Sequence, residues 1–180
     1  KLLLQPRVIN HPSLARISNG ALSTVRVLTC LDEDGRPEAI SAMLRMAIAD
    51  NHVVDNAHKG GIAAAIDLET GILAEASDFG AGANWLARHP TSDARIAGTQ
   101  LPYWDRLRPF VEHAHSTVPD RMLIGWDVAI TPGGLVLIEA NGSPGLEMMQ
   151  RVHRRGFIRD RLGQLLAYHL QPSGPAALAA

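Results

Sequence analysis

Three side chains late in the chain have the types and spacing to hold a metal ion: Asp127, Glu139 and Asn141, within GWDVAITPGGLVLIEANGSPGLE. Pro132, Gly133 and Gly134 read as a three-residue loop between two strands, with Thr131 facing Leu135. In that register Asp127 lies directly opposite Glu139, and Asn141 is one diagonal away on the same face. The other face carries Trp126, Val128, Ile130, Val136, Ile138 and Ala140, an apolar stripe expected to face a core. Two directly opposed carboxylates repel each other. A divalent cation between them removes that cost. Asp, Glu and an amide oxygen are hard ligands of the kind magnesium takes when nucleotide phosphates complete its shell. Taken alone, the pattern also fits two acids on a solvated hairpin.

The elements that must position these residues follow from apolar runs and turn signals. Residues 2–9 read as a strand ended by Asn10, His11 and Pro12. LSTVRVLTCL, residues 22–31, is rich in β-branched types and stops at Asp32-Glu33-Asp34-Gly35. Residues 39–48 return as its hairpin partner, with helix as the competitor because of their Ala and Met content. Residues 61–68 and 72–76 form a second hairpin around Glu69-Thr70-Gly71. Residues 77–100 read as loop, and the insert 79–101, with Trp85, Arg88, His89 and Arg95, as a lid or a decoration. Helical spacing places Leu107, Phe110, Val111 and Ala114 on one side of a helix over 104–118. A closing helix over 157–170 carries Ile158, Leu162, Leu165, Leu166 and His169 as a stripe. The Pro/Gly/Ala-rich residues 172–180 read as a frayed tail. Consecutive hairpins with helices at intervals predict an α+β fold on a mostly antiparallel sheet with flanking helices.

Several segments together resemble the ATP-grasp enzymes. Asp127, Glu139 and Asn141, followed by Ser143-Pro144-Gly145-Leu146-Glu147, resemble that family's metal-binding signature, most of all in ligases that add glutamate to a carboxyl-terminal acceptor. Ser23-Thr24-Val25-Arg26-Val27 is similar to the family's central arginine-bearing strand. Asp55-Asn56-Ala57-His58-Lys59-Gly60-Gly61 is similar to its asparagine, basic residue and double glycine. The whole also resembles an ATP-grasp branch associated with sugar-transfer or polysaccharide loci.

That resemblance implies the C-terminal subdomain of an ATP-grasp fold over residues 1–171, with the N-terminal, nucleotide-clamping subdomain of the same protein missing. It implies ATP as substrate and one or two magnesium ions, or manganese in their place, held by Asp127, Glu139 and Asn141. Arg26 would reach the transferred phosphoryl group, with Asn56 and Lys59 beside it. Arg45 would lie near the acyl substrate. Gly60 and Gly61 would let backbone approach phosphate, and Leu3, Leu4 and Gln5 would offer backbone groups to adenine. The reaction implied is ligation of a carboxylate substrate to a nucleophilic acceptor through an acylphosphate. Gly125 departs from the pattern, since some relatives carry an arginine there for the carboxylate substrate.

Composition narrows the partners. With 17 basic and 18 acidic residues, the chain gives no electrostatic reason to expect nucleic acid. No apolar run reaches the roughly 18 residues of a membrane span. Cys30 is the single cysteine, so neither an internal disulfide nor a cysteine metal site is available, and a reducing cytoplasm is the expectation. The histidines show no metal spacing; His113 and His115 are two apart on a helix and do not share a face. Three other readings stand beside the ligase: a sugar or small-molecule kinase on the same fold, a nucleotide-binding scaffold without catalysis, and an unrelated α+β binding domain.

Overall fold

The computed structural model describes residues 6–18, 20–48, 61–78, 80, 82 and 84–171. Its centre is a seven-stranded antiparallel sheet in the order β5-β4-β3-β2-β1-β6-β7. β1 (Thr24–Leu31) and β2 (Pro37–Met46) form the first hairpin. Its turn is fixed by Asp32, whose Oδ1 accepts from the backbone N–H of Asp34 and Arg36 at 2.9 and 2.7 Å. β2 is strand rather than helix because it pairs on both edges, with β1 and with β3 (Ile62–Ile66). Tertiary pairing here overrides the modest helix preference of Ala and Met.

β3 turns into β4 (Leu73–Ser77) through Asp67, whose Oδ1 accepts from the N–H of Glu69 and Thr70 and from the Thr70 hydroxyl. Gly71 closes this turn at φ +72°, and a Cβ there would fall 2.3 Å from Trp104 Cγ. β5 (Trp85–Leu86) extends the sheet beyond β4, so part of the segment read as loop is an edge strand. β6 (Leu123–Thr131) and β7 (Gly134–Asn141) form the opposite end.

Strand alternation separates two cores. On one face Val25, Val27, Leu44, Ile62, Trp126 and Val128 pack against Trp104, Leu107 and Val111 of α1 (Trp104–Ser116). On the other, Leu28, Met43, Ala63 and Ala65 pack under Met149 and Val152 of α2 (Leu146–Val152) and under Leu162 and Leu165 of α3 (Arg161–His169). Each fully buried aliphatic side chain contributes about 1.5–3 kcal/mol, so both faces are anchored. The α+β reading holds.

Four local readings need correction. Residues 6–10 carry no strand; Asn10 instead turns its side chain to the backbone of Ala21 and Ser23. The closing helix is not continuous. Phe157–Arg159 is a 3-10 turn, Asp160 is extended, and α3 starts at Arg161, which leaves Ile158 84% exposed.

The third hairpin turns through two residues, not three. Thr131 pairs with Gly134, which takes φ +118°, and Thr131 Oγ1 donates to Gly134 O at 2.8 Å. The upper half is therefore one residue out of the expected register, with Ile130 opposite Leu135 and Val128 opposite Leu137. A bulge that skips Ile138 restores the expected pairing of Asp127 with Glu139. Fourth, the expected apolar stripe does not carry through β7. Val136 opposes Ala129 instead of facing the α1 core, and Val136, Ile138 and Ala140 are all exposed on this edge strand.

Candidate functional site

Three neighbouring strands bring an acid and two arginines together. Asp127 of β6 is the direct partner of Arg26 of β1, which in turn opposes Met43 of β2. Arg45, two residues after Met43, shares that face and opposes Thr24 and Ala63. Arg26 grips the Asp127 carboxylate with a fork: Nε donates to Oδ1, and Nη2 donates to Oδ2 at 2.7 Å. Arg45 Nη1 donates to the same Oδ2 at 3.1 Å. The side chains are only 14% (Arg26), 12% (Arg45) and 5% (Asp127) exposed, so this triad lies in weakly screened surroundings.

Glu139 faces Asp127 from β7 and is exposed, while Asn141 opposes Gly125 and is half-buried. Asn141 Nδ2 donates to Gly125 O at 3.4 Å, which leaves its Oδ1 on the opposite side of the amide. Gly125 explains its own departure from the family pattern. A Cβ there would lie 2.7 Å from Pro144 Cβ and 3.4 Å from Arg26 Cδ, because the 142–145 loop folds over it on the way into α2. No larger side chain fits without moving Pro144.

Asp127, Glu139 and the Asn141 amide oxygen are hard oxygen donors by type. Among the described residues no group of three or more His, Cys, Asp or Glu side chains gathers around a point, so a protein-only cage is absent there. Asp127 accepts three guanidinium N–H contacts, and a carboxylate has about four acceptor directions, which leaves one for an ion. Such a site would need phosphate and water oxygens to complete an octahedron.

Of the remaining sequence candidates, Gly61 is buried at the entry to β3. Leu3, Leu4, Gln5, Asn56, Lys59 and Gly60 lie outside the described residues. The insert is docked on the body. His89, 1% exposed, contacts Ala47 O through Nε2 at 2.9 Å and accepts from the N–H of Thr91 and Ser92 through Nδ1. Trp85 lies under the Arg154 guanidinium at 3.7 Å.

Sequence reasoning missed Arg151. It reaches from α2 across the sheet to Ser77 Oγ, at 3.1 Å, and to Gly80 O. Only its place on a short helix directly after the acidic hairpin could have hinted at this.

The family assignment agrees with this geometry. Residues 1–165 match the family described as sugar-transfer associated ATP-grasp. The chain belongs to that family. No curated protein matches the chain. Membership as an ATP-grasp protein brings ATP binding and, in general terms, ATP-dependent ligase-type activity. Among the described residues of this ATP-grasp chain, no helix is long and apolar enough to cross a membrane.

Proposed function

We propose that the chain is the C-terminal, metal-holding part of an ATP- and magnesium-dependent ligase that joins a carboxylate substrate to a nucleophile through an acylphosphate. The observation that carries this reading is the opposition of Asp127 and Glu139 across the β6–β7 pair, with Asn141 on the same face and Arg26 directly beside Asp127.

Asp127, Glu139 and Asn141 would hold one or two magnesium ions, which supply charge neutralisation on the nucleotide's phosphates. Arg26 is fixed in plane by its fork on Asp127, and its position suits the γ-phosphoryl group as negative charge spreads over the transferred oxygens. Arg45 stands one pairing step further and would hold the substrate carboxylate near that phosphoryl group. Burial of both guanidiniums strengthens these contacts, because little water competes. Asn56, Lys59, Gly60 and Gly61 would complete the phosphate side, and Leu3, Leu4 and Gln5 the adenine side. An N-terminal subdomain would close over the nucleotide and exclude water.

Replacing Glu139 with Gln in the full-length protein tests this reading. Loss of ATP turnover with an unchanged melting temperature is expected, since Glu139 is exposed. Unchanged turnover would remove the metal assignment.

A further inference from the structure

Arg45 reaches Asp127 across an intervening strand. Its own strand, β2, pairs with β1, and β1 pairs with β6, which carries Asp127. Neighbouring strands lie about 4.8 Å apart, so the side chain crosses about two spacings to make its contact. That contact is a single bond, Nη1 to Oδ2 at 3.1 Å, whereas Arg26, directly beside Asp127, holds both carboxylate oxygens with its fork. Oδ2 thus accepts from both arginines, and one carboxylate oxygen has about two acceptor directions. With Arg45 in place Oδ2 is full, and Oδ1 keeps one direction open. The two arginines are not equivalent. Arg26 fixes the carboxylate, and Arg45 closes its second oxygen.

Asp127 is also one of the residues assigned above to magnesium. Its side chain is 5% exposed, so water gives little help in separating it from either arginine. We infer that Arg45 is a gate on the metal site: it holds Asp127 Oδ2 against a bare cation and releases it when an anionic oxygen, phosphate or carboxylate, takes the guanidinium. The inference rests on the ligase reading above and adds a binding order to it, because the cation is then held firmly only together with an anion. A guanidinium can exchange one anionic oxygen for another without losing a charge-assisted bond, so the release costs little once the anion is there. The charge of Arg45 stays partnered throughout. By linkage, anion and cation strengthen each other's binding by the same factor through this one side chain.

Manganese, which suits the same oxygen ligands, tests this on the full-length protein through the paramagnetic resonance of the free ion. With no anionic ligand added, Arg45→Met is expected to bind manganese about tenfold or more tighter than wild type, the worth of one displaced charge-assisted hydrogen bond. A variant that merely loosened the fold would bind manganese more weakly instead. Adding Glu139→Gln to Arg45→Met should remove the gain, which assigns the ion to this pair of acids. In wild type, methyl phosphate or acetate should raise the manganese affinity, and the effect should vanish in Arg45→Met. Which of the two anions acts tells whether Arg45 leaves for phosphate or for carboxylate. Equal or weaker binding in Arg45→Met, a gain that survives Glu139→Gln, or a wild-type affinity that neither anion changes would overturn the inference. If Arg45→Met fails to fold, Arg45→Gln takes its place; if both fail, the anion dependence of wild type decides. The nucleotide analogue is titrated separately with magnesium. Normal nucleotide binding without the manganese gain sinks the gate alone, whereas a wild type that binds no analogue with magnesium sinks the ligase reading.

Discussion

Pro144 occupies the space that a side chain at position 125 would need, with its Cβ 2.7 Å from where a Cβ on Gly125 would be built. The contact links the loop after Asn141 to the strand that holds Asp127. Gly125→Ala should therefore push Pro144 away and cost about 1–3 kcal/mol, the usual range for overpacking. Because Asn141 Nδ2 bonds to Gly125 O, magnesium-dependent nucleotide binding should weaken as well. A variant with lowered stability and unchanged nucleotide affinity would separate this loop from the site.

A buried relay holds α1 to the sheet. Trp126 Nε1 donates to Thr29 Oγ1 at 2.8 Å, Thr29 Oγ1 meets His115 Nδ1 at 2.7 Å, and His115 Nε2 meets Arg121 O at 2.7 Å. Since Nε2 must donate to a carbonyl, the Thr29 hydroxyl donates to Nδ1. Thr29→Val keeps the shape but leaves an indole N–H and an imidazole nitrogen buried without partners. A loss of about 2–4 kcal/mol in urea denaturation, with an unchanged m-value, is expected. A change under about 0.5 kcal/mol would show that the relay contributes nothing net.

How much of this was legible in the sequence depends on the range of the interaction. The alternation that puts Asp127 and Glu139 on one face is local, and it read correctly. It did so because two departures cancel: the turn at Pro132-Gly133 is one residue shorter than expected, and the bulge at Ile138 makes up the difference. Burial of β7 was misread because Val136 and Ile138 look like core residues whatever lies beside them. Only the tertiary structure shows that β7 is an edge. Arg151 was invisible for the same reason, since its partner Ser77 lies 74 positions away. The break at Asp160 is absent from the reading of 157–170 as one closing helix, although an Asp before a helical run is a start signal there.

Acid should destabilise the fold in two separate windows. Burial pushes the His153 imidazole below its ordinary value of 6.5, against the hydrogen bond to Ala42 O, so the folded state prefers it neutral. The unfolded chain binds the extra proton first. The stability contributed by His153 is therefore complete above 6.5 and is lost as pH falls below it. Glu33 is held down to about 2 from 4.5 by the Arg161 guanidinium, so its contribution is lost only as pH falls below 4.5. Urea midpoints measured against pH should fall first below about 6.5, and His153→Gln should flatten that first limb alone. A midpoint that stays constant down to 4.5 would contradict the assignment.

Cys30 should be chemically silent in the native protein. Burial, helped by the nearby Glu38 charge, pushes its thiol up to about 11, and the side chain is fully enclosed. Thiolate is the reactive form. Alkylation by iodoacetamide at neutral pH should therefore follow unfolding. Rapid labelling of folded protein would contradict this placement.

The most direct test of the metal site is calorimetric titration of the full-length protein with a non-hydrolysable ATP analogue, with and without magnesium, in wild type, Glu139→Gln and Asp127→Asn. The Glu139 variant matters most, because Asp127 also holds Arg26 and Arg45 while Glu139 is exposed. The account predicts binding that requires magnesium and is lost in both variants. Binding of equal strength without magnesium, or undiminished in Glu139→Gln, would contradict it.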